Sequence, residues 1–286
     1  MIRHAISNHD RGTDQSNLVY PVVSRRSGGL SVGINLFPDA KRCGFDCPYC
    51  EVRPFAGEKR FSPEKLGTAL ERFFAVDYPS SWASTPVRDL CISGNGEPTL
   101  SPFLEEALGL CASARRKYAD VAGAADIVVI TNSTGFLRDD VSDTLRRFGA
   151  RESVEIWAKL DAGTQARFAL MSRSPFLLTE ILGAISLFAR DTPVIIQTML
   201  CSLEGKRPDF AEADAYAACL NTMLGGGARI DAVHFYTVAR QPLEPWASPI
   251  SDEEIGAFMG RVSGKLCRPL PLSGYGASGV KPVMLP

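Results

Sequence analysis

Val87-Arg-Asp-Leu-Cys-Ile-Ser93 runs into Gly94-Asn-Gly-Glu-Pro-Thr99, then into a helical pattern opening at Ser101-Pro102, then into Asp126-Ile-Val-Val-Ile-Thr131. Short β-branched runs bounded by Gly and Pro read as strands, and the stretch between them is long enough for a crossover helix. The same unit recurs on both sides. Further strand-like runs lie at Ser31–Phe37, Ser153–Leu160, Val194–Leu200 and Ala232–Thr237. Ser62-Pro63, Ser101-Pro102 and Ser174-Pro175 each set Ser at an N-cap and Pro at the first helical position. Ser251-Asp-Glu-Glu254 has the spacing of a capping box. Six strand–helix units fit between residues 31 and 263. Eight would close a full barrel, so the pattern predicts an α/β fold: an open, partial (β/α)6 barrel on a parallel sheet. A doubly wound sheet is the alternative, because element order alone does not fix strand order.

The composition agrees with a folded domain. The chain has 286 residues, 45% hydrophobic and 22% charged, enough apolar material for a sizeable core. Lys+Arg 31 against Asp+Glu 32 leaves a net charge of -1, so nucleic-acid binding by bulk charge is not expected. Residues 1–18 read as a flexible polar arm, 19–266 as the barrel and 267–286 as a Pro/Gly-rich tail. There is no apolar leader segment and no run of membrane-spanning length. The expectation is a cytoplasmic protein.

Three of the eight Cys fall in Cys43-Gly-Phe-Asp-Cys47-Pro-Tyr-Cys50, just after the first strand, with spacing C-x3-C-x2-C. A structural zinc site needs four closed ligands, commonly two separated pairs, and no second pair follows. Three thiolates on one loop suit a 4Fe–4S cluster, leaving one iron without a protein ligand. A zinc loop or a trio of buried thiols is the competing reading. Cys91, Cys111, Cys201, Cys219 and Cys267 are isolated and read as small buried hydrophobes.

In parallel α/β folds, ligands collect at the C-terminal ends of strands. There stand Ser93, Gly94, Asn95, Gly96 and Glu97, whose glycines let backbone approach a ligand. Asn132 and Ser133 follow the third strand, suited to a ribose or to a turn. Lys159 and Asp161 point the same way from the fourth, as ligand contacts or as an ion pair. Arg173, Gln197 with Thr198, and Tyr236 with Arg240 lie at or beyond later strands, with ligand contact and structural hydrogen bonding equally weighted. Gln197 interrupts an apolar run and needs partners for both ends of its amide.

The cysteine spacing, with the aromatic Tyr49 before the last Cys, resembles the signature of the radical S-adenosylmethionine superfamily. Gly-Asn-Gly-Glu-Pro at 94–98 resembles the superfamily's Gly-Gly-Glu-Pro motif, which contacts the methionyl amino group. Pro21–Arg26, Thr131–Thr134, Lys159–Ala162 and Tyr236–Arg240 resemble the branch containing the wyosine-tRNA synthases and bacterial proteins of unassigned activity. The resemblance covers about residues 20–255 and implies a full or partial (β/α) barrel. It implies a cluster on Cys43, Cys47 and Cys50, with S-adenosylmethionine chelating the open iron. One electron then cleaves the C5′–S bond, and the 5′-deoxyadenosyl radical takes hydrogen from a substrate. Tyr49 and Gly94–Glu97 are implied cofactor contacts, and Lys159 and Asp161 are implied to hold the cofactor's carboxylate or hydroxyls.

An unidentified small-molecule substrate is the first expectation, with a one-electron donor such as a flavodoxin or ferredoxin. A tRNA-modifying enzyme and a glycyl-radical activase acting on a partner protein are the alternatives. The wyosine synthases carry a second cluster on Cys N-terminal to the barrel, whereas no Cys precedes Cys43 here. Arg25, Arg26, Lys41, Arg42, Arg53, Lys59 and Arg60 keep RNA or a phosphorylated substrate in view. An electron carrier is disfavoured, because carriers give all their irons protein ligands.

Overall fold

Each of the six expected runs forms a strand in the computed structural model, which describes residues 16–277. In chain order the strands are β1 (Val19–Ser24), β2 (Gly29–Asn35), β3 (Val87–Ser93), β4 (Asp126–Thr131), β5 (Val154–Lys159), β6 (Val194–Met199), β7 (Cys201–Leu203), β8 (Ile230–Tyr236), β9 (Ala247–Pro249) and β10 (Leu272–Tyr275). The helices are α1 (Pro63–Arg72), α2 (Tyr78–Ser81), α3 (Leu104–Lys117), α4 (Ala119–Ala122), α5 (Asp139–Glu152), α6 (Gln165–Ser172), α7 (Leu178–Phe188), α8 (Phe210–Gly225) and α9 (Asp252–Ser263).

Eight strands form one sheet in the order β1-β2-β3-β4-β5-β6-β8-β10, while β7 and β9 pair separately and antiparallel. In the large sheet β2–β3, β3–β4, β5–β6, β6–β8 and β8–β10 pair parallel, and β1 pairs with β2 antiparallel. A doubly wound sheet reverses its strand order at a switch point. Here the order follows the chain, as in an open (β/α) barrel.

Two strands of the large sheet lie outside the expected six. β1 adds an antiparallel edge through Pro21, a residue tolerated where no ladder N–H is required. β10 lies within the segment read as a tail, pairing Leu272–Tyr275 with Val233–Tyr236. Pro269, Pro271 and Gly274 hid it by breaking the local strand pattern. Residues 1–15 of the expected arm and 278–286 of the expected tail lie outside the described residues. At the other end of that arm, Leu18 O and Asn17 O accept from Asn35 N and Asn35 Nδ2 at 2.8 and 3.2 Å, which ties these residues to β2.

Helix starts follow the sequence in part. Ser62 caps α1, accepting from Lys65 N at 3.3 Å, and the Ser251–Glu254 capping box is complete at 3.2 and 2.8 Å. Ser101-Pro102 instead forms a turn, with Ser101 Oγ accepting from Phe103 N at 3.2 Å, and α3 starts at Leu104. Ser174-Pro175 is also not a start. α6 has already ended at Ser172, and α7 begins at Leu178, where Glu180 reaches back to Leu177 N at 2.7 Å.

The chain divides into two compact units. The first comprises the chain up to Cys43 with Pro54–Thr131 and Asp143–Glu155; the second comprises Gly44–Arg53, Asn132–Ser142 and the chain from Ile156. Within the first, all seven residues of β2 are buried, the signature of a strand covered on both faces. Arg115 and Arg116 of α3 both reach Glu152 at the end of α5. Within the second, Tyr216 of α8 and Phe258 of α9 pack their rings on Phe235 of β8. Among the described residues no helix is long and apolar enough to cross a membrane.

Candidate functional site

In the first unit, the turn after β3 is fixed mainly by backbone. Glu97 N donates to Arg42 O at 2.7 Å and Arg42 N donates to Asn95 O at 3.2 Å. A Cβ on Gly96 would lie 1.9 Å from the Arg42 carbonyl oxygen, and Gly94 adopts φ +109. Both positions therefore demand glycine. Asn35 Oδ1 accepts from Phe37 N and Asn95 N, and Asn95 Nδ2 reaches Phe37 O at 3.1 Å. Ser93 Oγ shares a 2.9 Å hydrogen bond with Tyr20. Glu97 is buried, and its Oε1 accepts from Thr99 N, Thr99 Oγ1 and Thr131 Oγ1 at 3.2, 2.7 and 2.7 Å. The motif read as a ligand cradle is thus also a rigid knot of its own.

In the second unit, Tyr49 turns inward from the cysteine loop and its hydroxyl donates to Asp161. Asp161 also accepts from Met199 N at 2.8 Å and pairs with Lys159 at 3.2 Å. Lys159 donates to Tyr236 Oη at 2.7 Å and lies about equally over two rings, 5.0 Å from Tyr49 and 5.3 Å from Tyr236. Lys159 and Asp161 thus form an ion pair, one of the two expectations for them. The pair is nearly dry, with side chains 13% and 6% exposed. Burial opposes the ammonium charge, yet Asp161 and Tyr236 outweigh it and hold Lys159 above its ordinary range. Burial, reinforced by Asp161, raises the Tyr49 phenol well above its own.

Strand register explains why these residues meet. Lys159, Gln197, His234 and Ser273 stand in one row across β5, β6, β8 and β10. Two residues further on, Asp161, Met199, Tyr236 and Tyr275 continue the same face, by the alternation of strands. Gln197 Nε2 lies 3.0 Å from His234 Nδ1, and the imidazole stands edge-on between Trp157 and Tyr275. His234 retains partial exposure although β8 is flanked by β6 and β10. The sequence reading did not single out His234. Its signal was available, since alternation from Tyr236 puts it on the same face.

Other expected site residues have structural partners. Asn132 Oδ1 closes an Asx turn on Thr134, at 3.0 Å to N and 2.7 Å to Oγ1. Ser133 adopts φ 73, and its hydroxyl donates to Lys159 O at 3.4 Å. Arg173, with φ 45 at the end of α6, reaches Asp46 O and Glu244, both at 2.8 Å, and lies over the Trp246 ring. Thr198 faces away from the Lys159 row, toward Tyr216.

Cys43, Cys47 and Cys50 are partly exposed, whereas Cys91, Cys111 and Cys201 are buried. The expectation that all five isolated Cys are buried fails at two positions. Cys219 is half-buried near Gly163 O, and Cys267 is exposed in the connection after α9. Burial pushes the Cys47 thiol up to about 12, with Lys159 pulling the other way. Val52 N donates to Cys50 Sγ at 3.4 Å. Among the described residues no three His, Cys, Asp or Glu side chains are gathered to hold a single ion. A cluster asks for something different, because each thiolate takes its own iron. Three partly exposed cysteines on one loop fit that donor set.

Comparison with known proteins agrees on the fold class. No family model matches the chain. It is similar to a radical SAM methyltransferase from Sphaerobacter thermophilus, with TM-score 0.60 and 17% identity over 92% of this chain and 70% of that one. It is also similar to Streptococcus suis SuiB bound to S-adenosylmethionine, with TM-score 0.56 and 10% identity over 88% and 49%. At these identities the likeness establishes a shared α/β fold. In sequence, the chain is 30% identical over 129 residues to a UPF0026 protein of Helicobacter pylori strain 26695, and 29% identical to its counterpart in strain J99. Those matches span 45% of this chain and 38% of the relatives' length.

Proposed function

We propose that this chain is a radical S-adenosylmethionine enzyme whose Cys43, Cys47 and Cys50 hold a 4Fe–4S cluster with one iron left to the cofactor. The carrying observation is the C-x3-C-x2-C loop placed directly after the first parallel strand of a sheet with barrel order. The fold shared with a radical SAM methyltransferase, and with a protein solved with S-adenosylmethionine bound, supports the reading. When bound and reduced, the cluster supplies the electron that cleaves S-adenosylmethionine and so starts hydrogen abstraction from a substrate.

The chain's own residues position and shield. Gly94 and Gly96 let the turn pack closely on Asn35 and Arg42, Ser93, Asn95 and Glu97 hold it in shape, and the turn so fixed is the part that meets the methionyl amino group. Asn132 and Ser133 offer polar atoms to the ribose. Tyr49, Lys159 and Asp161 form a dry, charged floor behind Cys47, suited to the cofactor's carboxylate or hydroxyls. Arg173 braces the cysteine loop, and Gln197 orients His234 on the same face. No general acid or base is required, since hydrogen-atom abstraction moves proton and electron together. The substrate is a small molecule in this reading, and the electron comes from an external donor of the flavodoxin or ferredoxin kind.

The test is anaerobic reconstitution with iron and sulfide, followed by dithionite and S-adenosylmethionine, with 5′-deoxyadenosine read by mass spectrometry. Cys47→Ala is expected to abolish both the cluster and the product. A variant retaining the full four irons removes the ligand assignment, and a wild-type chain that takes up zinc in preference to iron overturns the reading.

A further inference from the structure

The loop that carries Cys47 and Cys50 is held by two other segments of its unit, one at each end. Leu243 N donates to Cys50 O at 2.6 Å and Glu244 N donates to Pro48 O at 3.2 Å. Arg240 Nε donates to Glu51 Oε2 at 2.7 Å, one residue past Cys50. On the other flank, Arg173 Nε donates to Asp46 O at 2.8 Å, one residue before Cys47, and its second arm reaches Glu244 Oε1 at 2.8 Å. Asp46 N donates to Ser172 O at 2.8 Å. Two arginines, each paired with a carboxylate, thus bracket the two cysteines, and the 240–244 segment joins the brackets.

Loops are ordinarily the mobile parts of a fold, and a short loop does not need five fastenings to exist. Both ion pairs are half-buried, with side chains 21% and 27% exposed for Arg240 and Glu51, and 32% and 27% for Arg173 and Glu244. At that exposure a pair fixes geometry better than a surface pair does. The fork of Arg173 is suited to joining two segments at once.

We propose that Arg240–Glu51 and Arg173–Glu244 are a two-sided clamp that sets the spacing of the Cys47 and Cys50 thiolates and keeps water from the cluster they hold. The proposal rests on the cluster reading above. These four are positioning residues, acting on the iron through the loop. Partners of this kind around a metal site commonly change its affinity by roughly 10–100-fold when removed. Solvent access to a cluster, in turn, sets its reduction potential.

The experiment uses the full chain, reconstituted anaerobically with iron and sulfide. It reads the half-time of iron release to a ferrous chelator, the cluster's midpoint potential, and the thermal midpoint of the iron-free chain. Arg240→Ala and Glu51→Ala are each expected to shorten the half-time about ten-fold and to move the potential upward, because water stabilises the more negative reduced cluster. The swapped pair Arg240→Glu with Glu51→Arg is expected to recover most of the half-time. Glu244→Ala provides an independent variant if a change at Arg240 prevents folding, and the same direction is expected. Iron release and potential equal to wild type in all the single variants overturn the clamp while leaving the cluster reading intact. A loss of thermal stability without any shift of potential reduces the pairs to ordinary loop fastenings and also overturns it. A wild-type chain that takes up no iron overturns the cluster reading, and the clamp with it.

Discussion

The glycine turn of the first unit and the Gly44–Arg53 segment of the second, which carries Cys47 and Cys50, are held in different ways. In the turn, main chain meets main chain: Arg42 and Gly96 run so close that no side chain fits between them. The carboxylate of Glu97 closes on two threonines close by in the same unit. In the loop, three main-chain bonds are joined by long side chains, through Tyr49 on Asp161, Arg173 on the Asp46 carbonyl and Arg240 on Glu51. Contacts made by backbone tolerate little change at one position and much elsewhere. Contacts made by charged side chains fail in a graded way and respond to charge. The first property suits the cofactor-binding edge proposed for the turn, and the second suits the metal-holding role proposed for the loop.

The comparison breaks most visibly at Gly96. Gly96→Ala sets a methyl group 1.9 Å from a carbonyl oxygen, and neither backbone segment can retreat without losing the Glu97 N to Arg42 O bond. The expected cost is about 4 kcal/mol or more, a large fraction of the roughly 5–15 kcal/mol that keeps a domain folded. Urea denaturation of the iron-free chain measures it. Gly163→Ala is the matching control in the second unit, where the added carbon meets Tyr216 N at 2.1 Å. A mild effect at Gly96 would mean that the turn yields, and the contrast with the cysteine loop would weaken.

Next in size is Lys159→Met, which leaves the buried Asp161 carboxylate without its cation. Breaking a buried pair by removing one partner costs roughly 3–5 kcal/mol, and neutralising both commonly costs less. Asp161 keeps Tyr49 and Met199 N as donors, so the lower end of that range is expected. Lys159→Met with Asp161→Asn should recover more than half of the loss, again read by urea denaturation. The pair is then a device of charge, in keeping with the character of the second unit. A double variant no more stable than the single one would show that packing on the two tyrosine rings, and not charge, holds Lys159 in place.

The two regions were also unequally legible in the sequence. All six main strands and the cysteine loop could be read because β-branched runs and C-x3-C-x2-C are local signals. The α6–α7 junction could not, because Ser174-Pro175 carries the start signal while the helix is set by Glu180 closing on Leu177. β10 was hidden by its prolines and by a pairing with β8 that only the fold supplies. For the Lys159–Asp161 pair, alternation gave the shared direction but not Tyr49 or Met199 N, which come from distant segments. The clamp was invisible for the same reason: Arg240 and Glu51 are separated by 189 positions and meet only in the folded chain. Local chemistry was readable, and its supports were not.

The smallest expected effect falls on Glu97, and it separates shape from contact within the glycine turn. Glu97→Gln retains an oxygen in the Oε1 position, where Thr99 and Thr131 donate, and removes the charge. Hydrogen bonds to a charged acceptor are worth more than those to a neutral one, but a neutral amide is also easier to bury. The two effects oppose each other, so stability should change by only about 1 kcal/mol or less. If the carboxylate also faces the ammonium of S-adenosylmethionine, losing its charge should weaken binding to the reconstituted protein about ten-fold, as expected for one charge-assisted contact. Isothermal titration measures the affinity, and iron content verifies that the cluster is unchanged. Equal affinity in the two proteins would make Glu97 a fastener of the turn and nothing more, and would leave the proposed cofactor contact to the turn's main chain alone.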